Sequence, residues 1–228
     1  MPQFLYLFSV IATIFLFVLA GIIWLFQNNG LDKLKHPEEW KTAGSSGERI
    51  VYNMLIKKFH IPENQILRNV YIPTGNSKTS EIDLLIISKK GLFVVECKNY
   101  GGYIYGDAKL PKWIQYIGGQ KNFFYNPLFQ NKNHAKCLSA FLAQHNISVP
   151  IIPIISTITR GNWKIRNLRP NDYVLGLNCH LKDIYENLPD SPAVTKHYKS
   201  ILASLTPLSR PDESVRQKHV AQILLSRK

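Results

Sequence analysis

The sequence predicts an α/β fold, a mixed β-sheet flanked by helices, preceded by one transmembrane helix. Three observations carry that expectation. Two apolar runs, Ile82–Ile87 and Leu92–Val95, flank Ser88-Lys89-Lys90-Gly91, a short turn with Gly at its end, and so read as a β-hairpin. Asn126-Pro127 has the chemistry of a helix start, and the residues after it place Gln130, His134, Cys137, Leu138 and Phe141 at spacings of three and four. Finally, Met1–Leu31 carries no charged side chain, and Phe4–Phe26 is almost wholly apolar.

The apolar run is the first element. Its 23 residues compare with the roughly 20 that a bilayer-spanning helix needs. A cleaved signal peptide would carry a basic start, an apolar core of about 7–15 residues and a small-residue cleavage site. Here the start has no Lys or Arg, the core is too long, and Val18-Leu19-Ala20 is a poor cleavage motif. Residues 1–27 are therefore expected to stay as an anchor. Lys33, Lys35 and Lys41 follow the span and no basic residue precedes it, so the positive-inside rule puts the large domain in the cytoplasm. Residues 28–43 read as a juxtamembrane linker, 44–160 as the main domain, and 161–228 as an extension with short helices and a basic tail.

Within the main domain, Ser45-Ser46-Gly47-Glu48 opens a helical pattern whose apolar stripe is Ile50, Val51, Met54, Leu55 and Phe59, ended by Pro62. A strand at Ile66–Ile72 leads through Thr74-Gly75-Asn76 into the Glu81–Lys98 hairpin. Tyr103–Tyr105 and Trp113–Ile117 read as short strands, and Gly118-Gly119 breaks the pattern. The helix from Asn126 should run to about His145. Val149–Ser156 follows as a buried strand, its prolines suggesting an edge or irregular position. Beyond it the pattern suggests a strand at Tyr173–Leu177, helices near Lys182–Leu188 and Thr195–Leu205, and a tail helix from Asp212.

The hairpin gathers chemistry. If the four-residue turn sets Ile87 against Leu92, antiparallel pairing sets Asp83 against Glu96. Alternation puts Lys98 on the face of Glu96, with Glu81 opposite Lys98. Two carboxylates about 4 Å apart repel by roughly 4 kcal/mol at an effective dielectric near 20. Such a pair persists when a proton, a cation or the lysine offsets it, and a divalent metal uses all three groups. The plain alternative is a solvated face with surface ion pairs. Glu48 is ambiguous in the same way, because Ser45-x-x-Glu48 also fits a capping box.

The Asp83-x(12)-Glu96-x-Lys98 pattern resembles the PD-(D/E)XK nuclease core. A wider ordered set resembles the nuclease-related domain, or NERD, family. It comprises Gly47-Glu48, Glu81-Ile82-Asp83, Glu96-Cys97-Lys98-Asn99, Gly101-Gly102 before Tyr103-Ile104-Tyr105-Gly106, Trp113, Asn126-Pro127-Leu128-Phe129-Gln130 and His134. The resemblance spans about Gly44 to Ser156 and implies a restriction-endonuclease-like sheet. It also implies a site in which Glu48, Asp83, Glu96 and the backbone carbonyl of Cys97 hold Mg²⁺ or Mn²⁺. Lys98 would act on the attacking water or the phosphate, and Gln130 would contact phosphate or position water. Cys97 departs from the Thr or Val often found there in the family.

Charge and cysteines narrow the class. Lys and Arg number 28 against 15 Asp and Glu, a net charge of +13, and the surplus runs through to Lys228. That is the footprint of a phosphate-binding surface, with nucleic acid preferred as partner over anionic lipid. Cys97, Cys137 and Cys179 are odd in number and widely spaced, which argues against a disulfide scaffold and a thiolate zinc site. Tyr103, Tyr105, Trp113 and Tyr116 suit base stacking, yet aromatics at strand spacing more often pack a core. The reading is a membrane-anchored, divalent-metal-dependent nuclease acting on DNA or RNA. A non-catalytic, membrane-tethered nucleic-acid-binding module and a lipid-facing scaffold remain open as alternatives.

Overall fold

The computed structural model describes residues 43–75, 78–158, 160–176, 184 and 187–226. The expected transmembrane segment at 1–27 lies outside the described residues, as does most of the helix expected near Lys182–Leu188. Among the described residues, no helix is long and apolar enough to cross a membrane. The chain divides into Met1–Ser46 and Gly47–Lys228, and the second unit holds every strand among the described residues.

The fold is mixed α/β, with two mixed sheets flanked by helices. Helix α1 (Ala43–Lys57) precedes β1 (Ile66–Gly75), β2 (Lys78–Ser88) and β3 (Gly91–Lys98). Strands β4 (Gly101–Asp107), β5 (Lys112–Ile117) and β6 (Gln120–Tyr125) come next, then α2 (Pro127–Gln144). Strands β7 (Ile151–Thr157), β8 (Arg160–Arg166) and β9 (Tyr173–Gly176) precede α3 (Pro192–Leu205) and α4 (Glu213–Ser226). The first sheet runs β1-β2-β3-β7-β9 and the second β6-β5-β4-β8.

The hairpin register is the one the turn implies: Ile87 pairs with Leu92, and ladder pairing ends at Leu84 with Val95. Ser88 pairs with Gly91, whose φ of +155° suits glycine. Strands β2 and β3 are apolar on both faces because both are covered. Ile82, Leu85, Ile87, Leu92 and Val94 meet Leu138 and Leu142 of α2 and Val194, Ile201 and Leu205 of α3. Leu84, Ile86, Phe93 and Val95 are buried on the other face.

One sheet was expected, and the chain builds two. Strand β3 leads into β4 within three residues, and β7 leads into β8 the same way. Both pairs, β3 with β7 and β4 with β8, are parallel, so the two strands cross between the sheets in step. The Ile158 amide donates to the Lys98 carbonyl at that crossing. Beneath the second sheet Ile104, Trp113, Leu128 and Ile155 form a smaller core. The missed strands have plain causes. Gly118 and Gly119, with φ of +55° and +76°, make the turn of a β5–β6 hairpin instead of ending the pattern. Strand β8 is polar and lay in the stretch taken for an extension.

Strand β7 is interior, flanked by β3 and β9, not an edge. Its pairing with β9 begins at Ile154, one residue after Pro153, so the proline lies where no β9 partner needs its missing amide. Helix α2 follows its sequence signals: the Asn126 side chain accepts from the Leu128 amide at 2.9 Å, Pro127 occupies the first turn, and His145 caps the end.

Candidate functional site

The end of the β2–β3 hairpin, where the ladder stops, holds the polar cluster. Past Leu84 and Val95 the two strands no longer pair, so the Asp83 side chain takes the place of a ladder partner. Its Oδ2 accepts from the Cys97 amide at 2.7 Å. Amide and carbonyl of one strand residue project to the same side, so the Cys97 carbonyl also faces Asp83.

Glu96 is 3% exposed and is met from two directions. Lys98 Nζ lies 2.6 Å from its Oε1, and Gln130 Nε2 donates to that same oxygen at 2.7 Å. The Gln130 carbonyl oxygen accepts in turn from Lys98 at 3.2 Å, closing a three-member ring of contacts. Helix α2 delivers Gln130, and one turn later His134, whose Nε2 stands 3.4 Å from Glu96 Oε2. Its Nδ1 shares a 2.6 Å hydrogen bond with Ser80 Oγ. Next to Gln130, Asn131 donates to the carbonyls of Val94 and Ile154, both at 2.9 Å, and pins the helix across β3 and β7.

Glu48 reaches the cluster from α1. The helix begins at Ala43, so Ser45 lies inside it rather than at its cap, and the capping-box alternative does not hold. The Glu48 carboxylate accepts from Asn69 instead, at 3.4 Å. Gly47 lies tight against its neighbours: a Cβ there would stand 2.6 Å from Ile158 Cδ1, the movable end of that side chain, and 3.1 Å from Asn99 Cβ.

Electrostatics divide the acids. Burial, with the charges of Glu96 and Glu48, drives Asp83 well above the usual carboxylate range, and Lys98 and the Cys97 amide only partly offset it. Glu48 is raised by burial and by Glu81 and Glu96, against the Asn69 hydrogen bond. Burial pulls Glu96 the same way, but Lys98 and His134 outweigh it and hold Glu96 below its ordinary value. Lys98 is desolvated, yet Glu96 and its neighbours raise its pKa, so it stays an ammonium. Burial, then Asp83 and Glu48, pushes the Cys97 thiol up, leaving it neutral.

The cluster therefore holds more carboxyl groups than cations, and two of its acids are driven toward their protonated forms. Among the described residues, no group of three His, Cys, Asp or Glu side chains forms a ready-made metal cage. The donor chemistry nevertheless suits a hard divalent ion, which would replace the proton that burial and repulsion now favour on Asp83.

Glu81 differs from the expected geometry. It does not pair with Lys98; it accepts from Tyr71 Oη at 2.7 Å and lies 3.5 Å from His219 of α4. Gln222 of the same helix brackets Thr79 through its backbone amide and carbonyl, holding the tail helix against β2. Sequence reasoning gave His134 only a place in the helix spacing and the family pattern, and missed Ser80 and Asn69. The four-residue spacing from Gln130 was the available signal for His134; nothing local marked the other two.

Residues 43–158 match the model of the nuclease-related domain family. An uncharacterized protein of Bacillus anthracis is 31% identical over 208 residues, covering 91% of this chain and 94% of its own length. No solved structure matches.

Proposed function

The chain belongs to the nuclease-related domain family, and on that premise we propose that it is a divalent-metal-dependent nuclease cleaving phosphodiester bonds of DNA or RNA. The observation that carries the reading is the Glu96–Lys98–Gln130 ring beside Asp83, a buried ammonium next to more carboxyl groups than it can balance. Surface ion pairing does not explain a carboxylate 3% exposed with an amide and an ammonium on one oxygen.

Glu48, Asp83, Glu96 and the Cys97 carbonyl would hold Mg²⁺ or Mn²⁺. When bound, such an ion lowers the pKa of a coordinated water and neutralises charge on the scissile phosphate. Lys98 keeps its proton because Glu96 stabilises the ammonium, which suits it to stabilise developing negative charge on phosphate rather than to act as a base. Gln130 orients both Lys98 and Glu96, and its amide would contact phosphate or position water. His134 stands 3.4 Å from the second Glu96 oxygen, and Ser80 fixes the imidazole ring.

The uncharged run at Phe4–Phe26 and the lysines after it support a retained membrane anchor with the nuclease-related unit in the cytoplasm. Protease added to intact cells should spare the Gly44–Lys228 region; its digestion there would overturn this placement.

The deciding assay uses the full-length chain in detergent with labelled single-stranded DNA, duplex DNA and RNA, in Mg²⁺ or Mn²⁺. Cleavage should vanish on chelation and in Asp83→Ala. The reading fails if no substrate is cut, or if Lys98→Met cleaves as fast as the unaltered chain.

A further inference from the structure

We propose that the open face of the four-stranded sheet is a stacking platform for single-stranded nucleic acid, with Tyr103, Tyr105, Tyr116 and Phe123 engaging bases and Lys121 and Lys164 engaging phosphates. Register puts all six on one face. Tyr103 pairs with Tyr116 and Tyr105 with Ile114, while Ile114 pairs with Phe123 and Tyr116 with Lys121. On the other side Tyr105 pairs with Lys164. Directly paired strand residues point to the same side.

The four rings are exposed by 53%, 41%, 40% and 62% respectively. They are not core residues in disguise, because the opposite face already fills the core with Ile104 and fully buried Trp113. Tyr103, Tyr105, Ile114 and Tyr116 surround a shallow hollow of about 480 Å³. Tyr105 and Tyr116 meet edge to face at 5.8 Å, which holds their planes in place. Contiguous exposed aromatics of this kind mark interaction surfaces.

Charge identifies the occupant. Lys121 Nζ lies 5.1 Å from the Phe123 ring centre and 5.9 Å from that of Tyr116, and Lys164 lies 5.8 Å from that of Tyr105. Ammonium groups interleaved with rings match a polymer that alternates phosphates and flat bases. Asp107, at the end of β4, is already engaged by Asn167 and by the Lys109 amide, so it adds little repulsion. A duplex buries its base faces against one another and offers these rings nothing to stack on. Position fits as well: Tyr103 is five residues beyond Lys98, a chain distance of about 18 Å at most. A strand lying on the platform is thus within reach of the cluster around Glu96. This inference deepens the nuclease reading and rests on it only for the partner's class.

The test measures binding by the full-length chain in detergent, with chelator present so that nothing is cut. The probes are fluorescent oligothymidylate, fluorescent oligouridylate, a blunt duplex, and vesicles of anionic phospholipid. Single strands should bind, and the two homopolymers report whether DNA or RNA is preferred. Tyr103→Ala and Phe123→Ala should each weaken binding about tenfold or more, while Tyr103→Phe should bind like the unaltered chain. Lys121→Gln and Lys164→Gln should each flatten the salt dependence, which the ring substitutions should leave alone. Unchanged melting temperatures exclude misfolding at these exposed positions. The proposal is overturned if ring truncation leaves single-strand affinity intact, if duplex binds with the same ring dependence, or if only vesicle binding depends on the rings. Ring-dependent binding by a chain that cuts no substrate once Mg²⁺ or Mn²⁺ is restored upholds the platform and sinks the nuclease; no binding of any strand overturns the platform, and cleavage in the metal assay then leaves the nuclease standing.

Discussion

Gln130 and Lys98 converge on one atom, Oε1 of Glu96, at 2.7 and 2.6 Å. A helix and a strand thereby share a buried charge, and each partner restricts the others. Removing one member of such a group costs more than the contact itself contributes, because the remaining charge stays in a poorly solvated place.

Lys98→Met should therefore destabilise the protein by about 3–5 kcal/mol, since Glu96 is left buried without its cation. Adding Glu96→Gln to that variant should recover most of the loss, because a neutral amide needs no counter-charge. Urea denaturation of the two single variants and the double checks this, and additive losses would contradict the coupling.

Asp83 behaves in the opposite sense. Its pKa is raised on folding, so its contribution to stability is present at low pH and is lost as pH rises through the folded value. Asp83→Asn removes that penalty while keeping an acceptor for the Cys97 amide, so it should melt higher than the unaltered chain at neutral pH without divalent ions. Asp83→Ala leaves that amide unmet and should be less stable than Asp83→Asn by about 1–3 kcal/mol. Equal melting temperatures for the two variants would show that the 2.7 Å hydrogen bond contributes nothing.

Asn131→Ala deletes two hydrogen bonds to strand carbonyls and should cost about 1–3 kcal/mol. The same change should lower kcat, because it frees the helix turn that carries Gln130. Gln130→Ala should lower kcat and cost less stability than Lys98→Met, because Glu96 keeps its ammonium. A Gln130→Ala variant that unfolds more readily than Asn131→Ala would reverse these assignments.

Acid stability should register a second carboxylate, Asp172, beside helix α2. Asp172 is buried, yet Lys132 at 2.5 Å and Arg169 at 3.3 Å outweigh that burial and hold its pKa below the ordinary value. A depressed carboxyl contributes stability above its unfolded value, near 3.9, and loses it as pH falls through the lower folded value. Denaturation followed from pH 5 downward should show a stability loss that Asp172→Asn flattens. Identical slopes for the two chains would refute the pairing.

The local geometry of the site was legible because it depends on period and turn length. A two-residue periodicity and a turn ending in Gly91 set the register as far as Leu84 with Val95, although the expected ladder pairing of Asp83 with Glu96 is replaced by the Asp83 bond to the Cys97 amide. The cap at Asn126 and the four-residue step from Gln130 to His134 are likewise local. Those features are written in neighbouring residues, and the structure keeps them.

What only the tertiary structure decided is long-range. Whether Glu48 caps its own helix or faces the cluster depends on Asn69, on Gly47 fitting against Ile158, and on where the helix begins. Glu81 was claimed by Tyr71 and His219, the latter on a helix 138 positions later in the chain, so no hairpin pattern predicts its loss from Lys98. The second sheet exists because β4 and β8 cross alongside β3 and β7, which pairs residues nearly sixty positions apart, Tyr105 with Lys164 among them. Tyr103, Tyr105 and Tyr116 ended outside the core for that reason, with Trp113 filling the other face. Strand alternation assigns side chains to two faces; only packing says which face meets solvent.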